Sequence, residues 1–285
     1  MIPDSIIDGI ENLDPLPVTA QRLTTLVGND QSSIHEMAEI VEYDPAVAAN
    51  VVRMANSAAF AGRYPVDKVR DAVIRLGIGN LVTIVLDGCV KLLKSDAPLF
   101  DLTEEEFHRH SAAASLVIKA LVAEARCPLP PEASIAALLH DIGKLIMVRY
   151  LNADLSSLVS LCKEKNIPFV QAEREILGCD HAEVGGAIAR KWDFPQQIIE
   201  AIEKHHQVSP EGNGVILDAV MLANYAAKSM GAGLGAEGMN ISMDYAGSRK
   251  RLGISIESFE RACAQTAVWL IEQNQATTAP LEKKQ

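Results

Sequence analysis

In the stretch SIAALLHDIGKLIMV, His140 and Asp141 interrupt an otherwise apolar helical pattern. An imidazole and a carboxylate in such a place are costly to bury unless they find partners. The chain offers several. Glu106 and His110 stand four apart and therefore share one helical face. His181 falls in the first turn of its helix, beside Asp180. His205 and His206 close a helix whose inward side is marked by Ile198 and Ile202, and they follow Ile202 by three and four residues. Asn224 follows Val220 by four and Ile216 by eight, again on an apolar face. Imidazoles and carboxylates are the donors that suit divalent Fe, Zn, Ni or Mn, and helical bundles build such centres from facing helices. The spacing therefore predicts a metal site in which these side chains converge. The competing reading is a metal-free polar network with Asp141 bridged to the histidines. Lys144, four after His140, would neutralise Asp141 or meet an anionic ligand. Gly143 and the Gly185–Gly186 pair would let backbones approach the His–Asp pair closely. His35 and His108 read as surface residues, Asp180 and Glu183 as a helix cap, and Cys179 as a small buried apolar residue.

Helical periodicity runs through almost the whole chain, and strict alternation is nearly absent, which predicts an all-α fold. Helices are expected over 18–27, 33–42, 45–55, 67–76, 78–93, 104–125, 132–150, 154–165, 169–177, 181–190, 195–206, 215–230 and 254–273. Their ends carry recognisable signals. Ser33 with Glu36 and Asp180 with Glu183 have capping-box spacing. Asp44 precedes Pro45, whose missing N–H does no harm at the first helical position. Gly77 ends one helix and Ile78 begins the next. The Ser95–Pro98 interruption divides the pattern into an N-terminal helical subdomain, 1–97, and a C-terminal one, 98–275, followed by a frayed tail, 276–285.

Acidic residues number 37 against 26 Lys and Arg, a formal net charge of −11. An anionic surface repels a phosphate backbone, so no nucleic-acid partner is expected. The five cysteines are scattered and never spaced Cys-x-x-Cys, which reads as reduced thiols rather than a disulfide or zinc-thiolate framework. The opening MIPDSIIDGIENLD has no basic region and no long apolar core, and no uninterrupted apolar run approaches ~20 residues. A cytoplasmic protein with no membrane span is the expectation.

ALLHDIGKL resembles the signature of the HD metal-dependent phosphohydrolase superfamily. LPVTAQRLTTLV, EMAEIVEYDPAVAANVVRMANSAAF, VRDAVIRLGIGNLVTIVL, HAEVGGAIARKWDFPQQIIEAIEKHH and MLANYAAKSMG are similar to the HDOD (HD-related output domain) family. That likeness spans roughly residues 13 to 235. It implies two packed helical subdomains, the second an HD-like bundle, in a bacterial signalling or regulatory protein that works without catalysis. By resemblance to the HD-GYP branch, Glu106, His110, His140, Asp141, His181, His205 and His206 fall on metal-ligand positions and Lys144 on a ligand-contacting one. Asn224 stands where the superfamily has its last ligating Asp, so one position loses an anionic donor. QVSPEGNG after His206 lacks a Gly-Tyr-Pro loop, which argues against cyclic di-GMP hydrolysis.

Two principal functions follow. One is a regulatory module for signalling protein partners that retains a divalent metal. The other is a phosphohydrolase for a nucleotide or small phosphoester, with Glu106 as base and Lys144 as anion clamp around a metal-activated water. An iron-dependent oxygenase is a third, more distant reading.

Overall fold

The structure, a computed structural model of the chain, describes residues 2–27, 29, 31–91, 103–126, 128–150, 155–207, 212–232 and 245–278. It is all-α, with no strand among the described residues. The helices are α1 (Asp4–Glu11), α2 (Val18–Thr24), α3 (Ile34–Glu42), α4 (Pro45–Ala55) and α5 (Val69–Val90). Then come α6 (Glu104–Val122), α7 (Glu132–Leu139), α8 (Gly143–Tyr150), α9 (Leu155–Lys165) and α10 (Phe169–Leu177). The last are α11 (His181–Lys191), α12 (Gln196–Lys204), α13 (Val215–Ser229), α14 (Tyr245–Arg251) and α15 (Ile256–Thr278).

Local chemistry sets many of these boundaries. The Asp44 carboxylate accepts hydrogen bonds from the Ala46 and Val47 N–H groups, with Pro45 in the first turn of α4. These are donors that a helix start otherwise leaves unpaired. Gly77 adopts φ 69°, ψ 167°, so α5 is two helical runs joined at a break that a side chain would strain. The expected boundary between Leu76 and Ile78 lies there. By length and composition α5 would suffice to cross a membrane, which the expectation of no such segment did not foresee. Half of its apolar window is nevertheless buried inside the protein.

Helices α2 to α5 pack on one another, and α6, α7, α8, α11, α12 and α13 form a second bundle. Helix α5 meets α7, joining the two groups. The expected division at 97–98 lies outside the described residues. Helix α1 crosses over: it packs against α8 and α11 of the second bundle. Lys191 Nζ donates to the Glu11 carbonyl at 2.6 Å and Trp192 Nε1 to that of Asp14 at 3.3 Å.

The structure corrects two expectations about elements. A continuous helix over 132–150 is replaced by α7 and α8, with His140, Asp141 and Ile142 in the turn between them. Helices α1 and α14 were not anticipated, because their eight and seven residues are too few to show a period.

Candidate metal centre

Four segments of the second bundle supply the polar cluster. Helix α6 carries His110, the α7–α8 turn His140 and Asp141, the first turn of α11 His181, and the end of α12 His205 and His206. The turn allows two consecutive residues to face the same interior, which a straight helix would set about 100° apart. Close backbone packing holds that turn against α11. A Cβ at Gly143 would lie 2.0 Å from the His181 carbonyl oxygen and 2.7 Å from the Gly185 nitrogen. Gly185 and Gly186 in turn bring α11 against Ile202 and Glu203 of α12.

The imidazoles are fixed from behind. His110 Nδ1 lies 2.9 Å from the Ala232 carbonyl oxygen, His140 Nδ1 2.8 Å from that of Ala137, and His205 Nδ1 2.7 Å from that of Ile202. A carbonyl only accepts, so each Nδ1 carries the proton and each Nε2 presents its lone pair when the ring is neutral. His181 Nδ1 donates instead to Glu173 Oε2 at 2.7 Å, an imidazole backed by a carboxylate as metal-binding histidines commonly are.

The Nε2 atoms turn toward Asp141. Oδ2 lies 3.5 Å from His110 and from His140, and Oδ1 3.3 Å from His181 and 3.6 Å from His205. His110 and His140 face each other Nε2 to Nε2 at 3.2 Å, as do His206 and His181 at 2.9 Å. Two donor groups result: Asp141, His181, His205 and His206, and His110, His140 and Asp141. Within each, the donor atoms lie within 4.8 Å of one another, so each could hold a metal ion. Lys144 Nζ pairs with Asp141 Oδ2 at 2.7 Å.

Protonation favours the same use at His110, His140 and Asp141, whereas His181 would have to give up a proton to bind a metal. Burial pushes the imidazolium forms of His110 and His140 down, outweighing Asp141, and Lys228 and Lys144 reinforce this at His110. Burial alone would raise the Asp141 carboxyl. The surrounding imidazoles and the Lys144 ammonium overcome it and hold the group well below the usual carboxylate range. At His181, burial is overcome by Glu173 and Asp141, and the pKa rises to about 10. Asp141 Oδ1, His205 Nε2 and both amide atoms of Asn224 are buried without hydrogen-bond partners. A bound cation would satisfy two of these, the acceptors Asp141 Oδ1 and His205 Nε2, which lie 3.6 Å apart, and the donor set fits one.

Of the residues singled out by spacing, His110, His140, Asp141, His181, His205 and His206 come together, with Lys144 beside them. Asn224 is wholly buried on a helix packed against α6, α7 and α12. Glu106 is a correction. Its Oε2 accepts from the Thr103 N–H at 2.8 Å and the Thr103 hydroxyl at 2.9 Å, closing the capping box of α6. The unpaired N–H groups of the helix start claim the carboxylate, and it belongs to neither donor group. His35 is exposed as expected and lies near Glu39, but His108 is half-buried. Lys228, 5% exposed, escaped notice, and Glu173, fully buried, was noted only for lying near the other candidates in sequence, without its role behind His181. Glu173 was detectable, since it follows Phe169 by four on the inward side of α10, where a charge requires a reason. Lys228 follows Asn224 by four in the same way.

The sequence profile of the HDOD domain matches residues 13–208. An uncharacterized protein of Treponema pallidum (strain Nichols) is 25% identical over 223 residues, 77% of this chain; the chain spans only 43% of that relative's length. Among solved structures, an HDOD domain protein of unknown function from Geobacter sulfurreducens has TM-score 0.69 at 24% identity, covering 96% of this chain and 94% of its own. A candidate signal transduction protein from Marinobacter aquaeolei VT8 has TM-score 0.73 at 24% identity, with 96% and 64% covered. A candidate phosphohydrolase from Shewanella amazonensis SB2B has TM-score 0.59 at 24% identity, with 92% and 98% covered. At these identities the structural likeness carries the fold alone.

Proposed function

The chain belongs to the HDOD domain family, and from that premise we propose that it is a regulatory signalling module, without catalytic turnover, built around a buried divalent-metal centre. The facing Nε2 atoms of His110 and His140 carry the metal assignment. Both Nδ1 protons are committed to carbonyls, so two lone pairs meet at 3.2 Å where burial disfavours a proton. A cation relieves that repulsion. His110, His140, Asp141, His181 and His205 are its principal ligands, with His206 and Asn224 completing the set, and Fe, Zn, Ni or Mn suit these donors.

The regulatory reading draws its support from enclosure. A hydrolytic metal centre keeps a coordination position open to water and substrate. Here every donor of the two groups except His206 is buried, with Asp141 at 2% exposure. Glu106 closes a helix cap and is not poised as a base, and Asn224 replaces an anionic ligand by a neutral one. The name of the Marinobacter relative points the same way. We place the module in the cytoplasm, acting on a signalling protein rather than on nucleic acid or membrane.

A phosphohydrolase is the second reading. It is favoured by Lys144 and Lys228, two buried cations near the cluster that suit an anionic ligand, and by the name of the Shewanella relative. The experiment is a panel of nucleotides and p-nitrophenyl phosphate with added Mn or Fe, run on wild type and His140→Ala. Equal, background-level release of phosphate is expected from both. Turnover abolished by His140→Ala would replace the regulatory reading with the hydrolytic one.

A further inference from the structure

Between Arg53 and Arg75 stand five Lys and Arg and two Asp, a net +3 in a chain whose total is −11. The segment joining α4 to α5, which lies in this stretch, is pinned from beneath. The Asn56 side chain donates to the Val66 carbonyl at 2.7 Å and accepts from the Val66 N–H at 2.9 Å. Arg75 donates through Nη2 to the Tyr64 carbonyl at 2.6 Å and through Nη1 to that of Ala55 at 3.2 Å. This backbone scaffold displays a side chain rather than burying it. Tyr64 is 66% exposed, with the Arg63 guanidinium 5.4 Å from its ring centroid, and Ile74 beside Arg75 is exposed as well. Arg63, Lys68 and Arg70 are exposed and have no ion-pair partner among the described residues. Tyr and Arg are the side chains that most often anchor protein interfaces, and a pinned segment loses little freedom when it binds.

Helix α1 presents the opposite chemistry. The first fourteen residues hold four acidic side chains and no Lys or Arg. Asp4, Ile7, Asp8 and Glu11 recur at helical spacing along its exposed side, while Ile6 and Ile10 face inward. None of those three carboxylates has an ion-pair partner among the described residues. One exposed isoleucine thus lies among anions on α1, as Tyr64 and Ile74 lie among cations. The two faces belong to different bundles, since α1 packs on α8 and α11.

We propose that α1 of one copy docks on the Arg63–Tyr64–Ile74 face of a second copy. Asp4, Asp8 and Glu11 meet Arg63, Lys68 and Arg70, and Ile7 meets Tyr64 and Ile74. Every copy carries both halves of this complementary pair at equal concentration, which favours a second copy over a separate acidic protein. Away from the cationic face two such chains repel each other, so wrong orientations are disfavoured and this one is selected. The contact joins two different faces and is therefore head to tail. Each added copy leaves one face of each kind unused at the ends, and growth continues past the dimer. The faces are small, which places the contact among the weak and transient ones. This inference depends neither on the metal centre nor on the regulatory reading.

Sedimentation velocity of the full chain over a concentration series, up to about 0.2 mM for so weak a contact, is the test. The wild type should show a concentration-dependent series that passes the dimer. Two charge-reversed chains, Arg63→Glu with Arg70→Glu and Asp4→Lys with Asp8→Lys, should each associate at least about 10-fold more weakly. All four positions are exposed, so unchanged helical circular dichroism is expected of both chains. Tyr64→Ser should weaken association about 10-fold without altering charge. An equimolar mixture of the two charge-reversed chains is the decisive sample. It pairs an intact α1 with an intact cationic face, so association should return and stop at the dimer. A wild type that stays monomeric throughout would overturn the proposal. Association that survives the α1 reversal, or a mixture that stays monomeric, would overturn the α1 assignment. A monomeric wild type that binds a duplex of about 20 base pairs, with binding lost in Arg63→Glu, would assign the face to nucleic acid instead.

Discussion

The histidine cluster and the Lys119 clamp both place polar groups among apolar neighbours, by opposite means. In the cluster each of four imidazoles is anchored through Nδ1, three to carbonyls and one to Glu173, so the Nε2 atoms are aimed before any ligand arrives. At the clamp the Lys119 ammonium of α6 is held by two ring faces, 3.7 Å from the Phe60 centroid and 4.2 Å from that of Trp269, and no carboxylate. Hydrogen bonds fix direction, whereas a cation over a ring tolerates displacement. The first arrangement preorganises a site for one kind of occupant. The second leaves a charge whose burial is only partly compensated.

The strongest way to break the cluster leaves its donors intact. Gly143→Ala would force a Cβ to within 2.0 Å of the His181 carbonyl oxygen, where backbone must move. A loss of about 3 kcal/mol or more is expected in urea unfolding, and metal content should fall with it. His140→Ala and Asp141→Asn should remove bound metal while the helical circular dichroism remains; elemental analysis at wild-type metal stoichiometry would refute their role as ligands. Glu173→Gln, acting only through the His181 ring, should weaken metal affinity about 10- to 100-fold in a chelator competition. Glu106→Gln should leave metal content unchanged and lower the melting temperature slightly, separating the cap from the centre.

The smallest expected effect concerns the clamp and has a defined sign. Folding depresses the Lys119 pKa to about 8, below its unfolded value. Between those two values the unfolded chain binds more protons, so stability rises with pH in that window. Below pH 8 both states are charged and the contribution is a constant penalty; above the unfolded value it vanishes. Relative to Lys119→Met, the wild type should therefore gain stability between pH 8 and about 10.4 in denaturant midpoints, and parallel curves would contradict this.

Much of this was legible in the residues, for physical reasons that also mark the limit. Asp44–Pro45, Gly77 and Asp180–Glu183 act within one helical turn, so their consequences can be read locally. The histidines were recognisable because each sits on an apolar face that has no other reason to carry one. The turn at His140 was hidden, since Leu138 to Leu145 keeps enough apolar residues to pass as one helix. Glu106 misled because the same i, i+4 spacing serves a shared face and the first turn of a helix, and Thr103 decided between them. The contacts of Lys119 were beyond reach, because Phe60 and Trp269 lie 59 and 150 residues away along the chain.

Helix α1 has a practical consequence. The family match begins at residue 13, after this helix has ended. Yet Ile6 and Ile10 are buried, and α1 covers faces of α8 and α11, the helices adjoining Asp141 and bearing His181. A chain trimmed to the family boundary would uncover those faces and forfeit burial worth about 1.5–3 kcal/mol for each isoleucine. Aggregation or poor expression of such a truncation would then reflect the missing cover rather than any defect of the HDOD fold.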